Sequence, residues 1–148
     1  YMTLMRNMGR ASTTGQFPLF EFIVSRRDVL ECFKWSREFF QKGCKEKGID
    51  ETKIINLQVL LSVGTGYGMT SMIPTFDPSD QELHRKMHEL FLEFLEEGSR
   101  RGYVIEAPQG QESRLKAKQW TPEFYNYILT LKRMLDPNNI MNPGVLFL

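Results

Sequence analysis

The sequence predicts an α+β fold: an antiparallel sheet of four strands with two helices on one face, then a C-terminal helix and an ordered tail. Three observations lead there. Short β-branched and aromatic runs take turns with amphipathic stretches in the order β-α-β-β-α-β. Gly, Pro and Asp punctuate the boundaries between them. A last amphipathic stretch then runs into Asp136-Pro137, where a helix must stop, because Pro137 pushes Asp136 out of the α region.

Residues 1–15, rich in Met, Gly, Ser and Thr, read as a loop or extended connection. Residues 17–24 read as the first strand, with Pro18 near its start. Ser25 to Asp28 resemble a capping box. The helix they open carries Val29, Cys32, Phe33, Ser36 and Phe40 on one face and is expected to stop at Gly43. Cys44 then falls just past its end, and residues 45–50 form a charged loop.

Residues 54–63 and 69–76 read as strands joined by the turn Gly64-Thr65-Gly66-Tyr67-Gly68, hence a hairpin. Asp77 is the expected N-cap of the second helix, with Pro78 at its first position. Leu83, Met87, Leu90, Phe91, Phe94 and Leu95 form a stripe at helical spacing, with charges opposite. Arg100 and Arg101 suit the helix dipole at its end, and Gly102 terminates it. Residues 103–106 are a short fourth strand. Thr121-Pro122-Glu123 caps the last helix, with Phe124, Tyr127, Ile128, Leu131 and Leu135 expected inward. This order is the split-βαβ, or ferredoxin-like, plan. We read residues 1–148 as one domain, with 16–106 as its core and 107–148 as helix and tail.

A net charge of +1 gives no electrostatic footprint for nucleic acid or acidic lipid. No apolar run is long enough to span a bilayer, and no signal-peptide pattern opens the chain. Cys32 and Cys44 are the only cysteines, too far apart along a helix for a disulfide. Two free thiols suit a reducing compartment, so a cytoplasmic location is expected.

Few residues suggest chemistry unaided. The glycine-rich segment 64–68 joins two strands instead of opening a helix, so it reads as a hairpin turn and not a phosphate loop. His84 and His88, four apart, have a spacing that can hold a metal, but the apolar stripe turns them toward the polar flank, as a solvated pair. No metal site is expected. Glu106, Gln109, Gln111, Glu112 and Arg114 leave the fourth strand as a polar cluster, which is either a substrate rim or an ordinary polar loop. The tail is costly in entropy to order, so it should pack on something. Its Asn139, Asn142 and Gly144 tolerate left-handed backbone.

The string Leu135-Asp136-Pro137-Asn138-Asn139-Ile140-Met141-Asn142-Pro143-Gly144 closely resembles the C-terminal signature of the FAD-linked oxidases related to vanillyl-alcohol oxidase, 4-cresol dehydrogenase and glycolate oxidase. Gly15-Gln16-Phe17-Pro18, Ile73-Pro74-Thr75-Phe76-Asp77-Pro78 and Gly102-Tyr103 resemble further segments of that family in collinear order. The resemblance implies a cap, or substrate-binding, domain over an FAD held mainly by an N-terminal FAD-binding domain, in the same or a partner chain. It implies oxidation of an alcohol, hydroxy acid or phenolic carbon by hydride transfer to the flavin. By itself this portion should be inactive, and a homo-oligomer is compatible with it.

The resemblance also assigns roles. Gln16, Phe17, Asn142 and Gly144 would lie near the flavin. Tyr67 and Met69 would line the substrate pocket, with Tyr67 as a catalytic candidate. Gln109 would contact substrate, and Glu106 is the candidate base, a role that calls for burial. Relatives with covalent flavin carry His or Tyr near Gln16 or Phe17; neither of these can form that bond, so non-covalent FAD is expected. The Glu-His-Gly of the hydroxy-acid branch is replaced by Glu106-Ala107-Pro108, and the phenolate-holding Tyr-Arg pair by residues near Ile105 to Ala107. Val145 stands where a Lys is usual. The alternative is a stand-alone ferredoxin-like ligand-binding or regulatory module, or an inactive subunit of a flavin complex.

Overall fold

The computed structural model of the chain describes residues 20–63, 66–77, 79–106 and 112–144. Four strands form one sheet: β1 (Phe20–Ser25), β2 (Ile55–Val63), β3 (Tyr67–Thr75) and β4 (Val104–Ile105). Their order is β2-β3-β1-β4, and every neighbouring pair is antiparallel. Helix α1 (Val29–Glu46) joins β1 to β2, and α2 (Gln81–Arg100) joins β3 to β4. Each β-α-β unit is thus split by a strand of the other, which is the ferredoxin-like plan the sequence predicts. Two shorter helices follow, α3 (Glu112–Ala117) and α4 (Pro122–Leu135).

Alternation along β1 explains how the core forms. Phe20, Phe22 and Val24 point to one face and are buried. Their partners Met72 and Thr70 on β3 share that face. There they meet Cys32, Trp35 and Phe40 of α1 and Met87, Leu90 and Phe94 of α2 in one cluster. The stripe read from the sequence of α2 is buried throughout. Trp35 stacks on Phe94 at 5.0 Å, and Phe22 lies 4.9 Å from the same ring.

Several boundaries differ from expectation. Helix α1 does not stop at Gly43; it continues to Glu46 and includes Cys44. Gly43 is instead a point of close approach, because a Cβ there would lie 2.2 Å from Leu90 Cδ1. Two glycines at helix surfaces do this work; at Gly98 of α2 a Cβ would lie 2.1 Å from Phe22 Cζ. The capping box at Ser25 does not form. Ser25 Oγ accepts from Arg27 N at 3.2 Å, and Asp28 is an N-cap without a side-chain bond.

Asp77 does not cap α2. Its carboxylate closes a turn by accepting from Ser79 N and Oγ, and Asp80 takes the N-cap, accepting from Leu83 N at 3.0 Å. Pro78 lies outside the described residues. The loop expected at 45–50 begins later and leads to a 3-10 turn at Glu51–Lys53 capped by Asp50. Residues 17–19 of the expected first strand lie outside the described residues, and α3 has no counterpart in the sequence reading.

The largest difference is α4. Thr121 caps it as expected, accepting from Phe124 N at 3.3 Å. Its apolar side, however, is not inward: no residue of α4 is buried, and Tyr127 and Leu135 are 59% and 77% exposed. Periodicity shows that a helix has an apolar face, not that the same chain covers it.

Candidate functional site

The face of the sheet turned away from α1 and α2 carries a row of polar residues. On it, Ser71 of β3 stands opposite Glu21 of β1. Phe22 pairs with Ile105, so extending that register by one residue sets Glu106 opposite Glu21 on the other side. The three form one cross-strand row. Glu21 is 9% exposed and Ser71 5%, while Glu106 is half-buried at the sheet edge.

Like charges directly opposed across strands repel. Burial, above all, pushes the Glu21 carboxyl above its ordinary range. The dipole of the Ser71 hydroxyl pulls it back, and the charge and hydrogen bonding of Glu106 raise it again. Ser71 Oγ is buried and has no partner with hydrogen-bond geometry among the described residues.

Helix α3 and the turn after it secure the edge of the site. Gln119 Oε1 accepts from Ile105 N at 3.1 Å, while its Nε2 donates to Tyr103 O at 2.7 Å and to Ser99 Oγ at 3.0 Å. One side-chain amide thereby serves the exposed edge of β4 as a further strand would. Lys116 Nζ donates to the Ile105 carbonyl. Burial holds the Lys116 ammonium below its ordinary range, against the favourable charge of Glu106.

The expected site residues fall in three places. Glu106 belongs to the row. Met69, half-buried, pairs with Ile23 one row along on the same face. Tyr67 pairs with Ser25 on that face, is 61% exposed, and lies four residues beyond Ser71, about 14 Å along the strand. The structure does not bring Tyr67 and Glu106 together. Asn142 and Gly144 sit in the tail beyond α4, exposed, with φ of 47° and 79°. Gln16, Phe17 and Gln109 lie outside the described residues.

The tail is held from within. Asp136, at the end of α4, accepts from Ile140 N at 2.8 Å and Met141 N at 2.9 Å. Lys132 Nζ donates both to the Asp136 carboxylate and to the Met141 carbonyl. The Lys132 hydrogen bond is the main cause that holds the Asp136 carboxyl below its usual range. Ile140 and Met141 are thereby ordered yet 75% and 62% exposed.

Sequence reading missed Glu21, Ser71 and Gln119. The first was within reach, since an acidic residue between Phe20 and Phe22 must point away from the core. The others depend on which strand lies beside which. His84 is exposed on α2, its ring 6.1 Å from Phe76. Among the described residues no group of His, Cys, Asp and Glu is placed to hold a metal, and no helix is long and apolar enough to cross a membrane.

A cleft of about 560 Å³ lies beside Val104, Leu115 and Gln119 at the β4 edge. Another of about 530 Å³ runs between α1 and α2 over Trp35 and Phe39. Its charged rim is paired, with Glu97 at 3.0 Å from Arg100 and 3.4 Å from Arg101. The unsatisfied hydroxyl and opposed carboxyls single out the strand row as the candidate site.

Comparison with known proteins agrees with the fold. A search of curated proteins finds no match. The fold resembles that of a 4-ethylphenol oxidase from Gulosibacter chungangensis, solved as an isoeugenol complex, with a TM-score of 0.69 at 17% identity. The likeness covers 88% of this chain and 24% of that one, so the chain spans about a quarter of that protein's length. The sequence matches the family described as FAD linked oxidases, C-terminal domain, over residues 6–146. With nearly its whole length matched, the chain belongs to the C-terminal domain family of the FAD-linked oxidases.

Proposed function

We propose that this chain is the substrate-side cap of an FAD-dependent oxidoreductase acting on an alcohol, hydroxy acid or phenolic carbon. The observation that carries the reading is the buried carboxyl row on the sheet face turned away from the helices. Residues 16–106 form the cap core, 107–148 the helix and flavin-side tail, and 1–15 the connection. The exposed side of α4 and the ordered tail suit docking on an FAD-binding domain, in the same or a partner chain. Without that domain the portion is inactive. A cytoplasmic location completes the reading.

The residues present fit a flat aromatic group with polar edges. Ile23 and Met69 offer apolar surface, and Ser71 offers an unsatisfied hydroxyl beside them. In the tail, Asn142 and Gly144 hold the left-handed backbone that brings main chain close to a ligand. These two, with Gln16 and Phe17, would hold the flavin, and none of them offers a side chain for a covalent bond to it. When bound, FAD supplies a hydride acceptor. The chain's own part is to position and to move a proton. Met69, Tyr67 and Gln109 line the substrate space, and Glu106, at the open end of the row, takes the proton of the reacting group. Glu21 then holds that proton in the pair.

The test is the visible spectrum of the full open-reading-frame product before and after acid precipitation. Flavin absorbance that leaves with the supernatant supports a non-covalent FAD cap. Flavin in the pellet overturns the reading of Gln16 and Phe17. A product without flavin shifts the assignment to a stand-alone ligand-binding module.

A further inference from the structure

Ser71, Glu21 and Glu106 stand in one row, and only Glu106 has a part that the sequence assigns. Ser71 is 5% exposed and Glu21 9%, so a charged and a polar group are both buried at the middle of a sheet face. Ser71 Oγ meets no partner in full hydrogen-bond geometry among the described residues, though it lies close enough to Glu21 to lower that carboxyl. Buried polar groups in folded proteins are almost always partnered, and an exception calls for a ligand or another explanation. Among the described residues, the groups acting on Glu21 are Ser71 and Glu106, neither of them a cation. Among the described residues, the Lys116 ammonium interacts with Glu106 and donates to the Ile105 carbonyl at the sheet edge.

We propose that Ser71, Glu21 and Glu106 form the substrate-recognition row of this cap, and that it takes an uncharged hydroxyl group and rejects anions. The proposal rests on the flavin-cap reading above. A hydroxyl is donor and acceptor at once. It can donate to the carboxylate of the pair and accept from Ser71 Oγ, which leaves no member of the row unsatisfied. A carboxylate or phenolate has no proton to give. It would lie against two carboxyl groups with Ser71 as its one donor in the row, and repulsion at this burial is poorly screened. Entry is from the half-buried Glu106 end.

Benzyl alcohol and benzoate, alike in ring and opposed in charge, are the probes. Each is titrated into the full-length product at neutral pH by calorimetry, with the flavin spectrum recorded alongside. The alcohol is expected to bind at least about tenfold more tightly than benzoate. Ser71→Ala should weaken the alcohol. Glu21→Gln should strengthen benzoate and bring the ratio toward one, and Glu106→Gln serves the same purpose if the buried replacement fails to fold. Benzoate binding as tightly as the alcohol, a ratio unmoved by either glutamine, or no binding of benzyl alcohol, cyclohexylmethanol or 1-hexanol each overturns the proposal. Benzoate binding that vanishes in Lys116→Met would put recognition on the ammonium instead. Calorimetry reads the probes with or without flavin, so the two readings fail separately. A product without flavin that still prefers the alcohol loses the cap and keeps the row. A flavin-loaded product that prefers benzoate loses the row and keeps the cap.

Discussion

Glu21 and Glu106 face each other across the antiparallel β1–β4 pair, on the side of the sheet turned away from α1 and α2. The contact sets a pH dependence. The Glu21 carboxyl titrates above its ordinary value of 4.5 in the folded chain, first because it is buried. An acid with a raised folded pKa contributes stability below its unfolded value, and that contribution is lost as pH rises through the folded one. Urea melts between pH 4 and pH 8 should therefore show Glu21→Gln with a flatter profile than the parent, and with its relative gain at the upper end. Parallel profiles would remove the carboxyl pair from the account.

Close approach at two glycines makes a graded prediction. Gly98→Ala would drive a Cβ to 2.1 Å from Phe22 Cζ, and the rigid ring is already packed against Phe94 and Tyr103. At Gly43 the clash is with the end of the Leu90 side chain, which can rotate. Gly98→Ala should cost on the order of 1–3 kcal/mol in denaturant melts, and Gly43→Ala less. Equal costs would mean that the ring yields as readily as the leucine.

Gln119 holds three groups at once, so its loss should be local and sharp. Gln119→Ala frees Ile105 N–H, the Tyr103 carbonyl and Ser99 Oγ. The expected loss is about 1–3 kcal/mol, with faster amide exchange at Ile105. Gln119→Glu keeps the acceptor for Ile105 N–H and loses both donated bonds, so its exchange should be the slower of the two. Unchanged exchange at Ile105 in both would show that the edge of β4 does not depend on this amide.

Asp136→Ala removes the acceptor of Ile140 N and Met141 N and the partner of Lys132. The tail should then be cut by protease within residues 137–144 faster than in the parent. Its order is also expected to fade with acid. Asp136 has a lowered folded pKa, so its contribution is full above the ordinary carboxylate value and is lost as pH falls through the folded one. Cleavage rates that match the parent's would assign tail order to something other than this carboxylate.

The thiols should be silent. Cys32 and Cys44 are free and fully buried, and burial pushes the Cys44 thiol up to about 12. Labelling with a thiol reagent at neutral pH should be slow in the native protein and rapid in denaturant. Fast native labelling would mean that α1 opens far more often than its packing suggests.

Much was legible in the linear chain. Alternation in β1 and the stripe of α2 are periodic signals written by local geometry, so element type, element order and the ferredoxin-like plan followed from sequence. Thr121 as a cap and Gly102 as a stop are equally local, each decided by one residue's own backbone and side chain. The family signature around Asp136 to Gly144 was also contained in a single short segment.

What sequence could not supply was every property that needs a second segment to define it. Gly43 reads as a helix stop until Leu90 of another helix lies against it. Asp77 and Asp80 are equivalent candidates for a cap until the backbone chooses between them. The apolar face of α4 has the periodicity of a core helix and lies exposed, because periodicity is intrinsic to the helix while burial depends on what covers it. Glu21, Ser71 and Glu106 are 50 and 35 residues apart in sequence from Glu21 to Ser71 and from Ser71 to Glu106. Only strand order and register set them side by side, and the opposed carboxyls and the unsatisfied hydroxyl exist only once that register is formed.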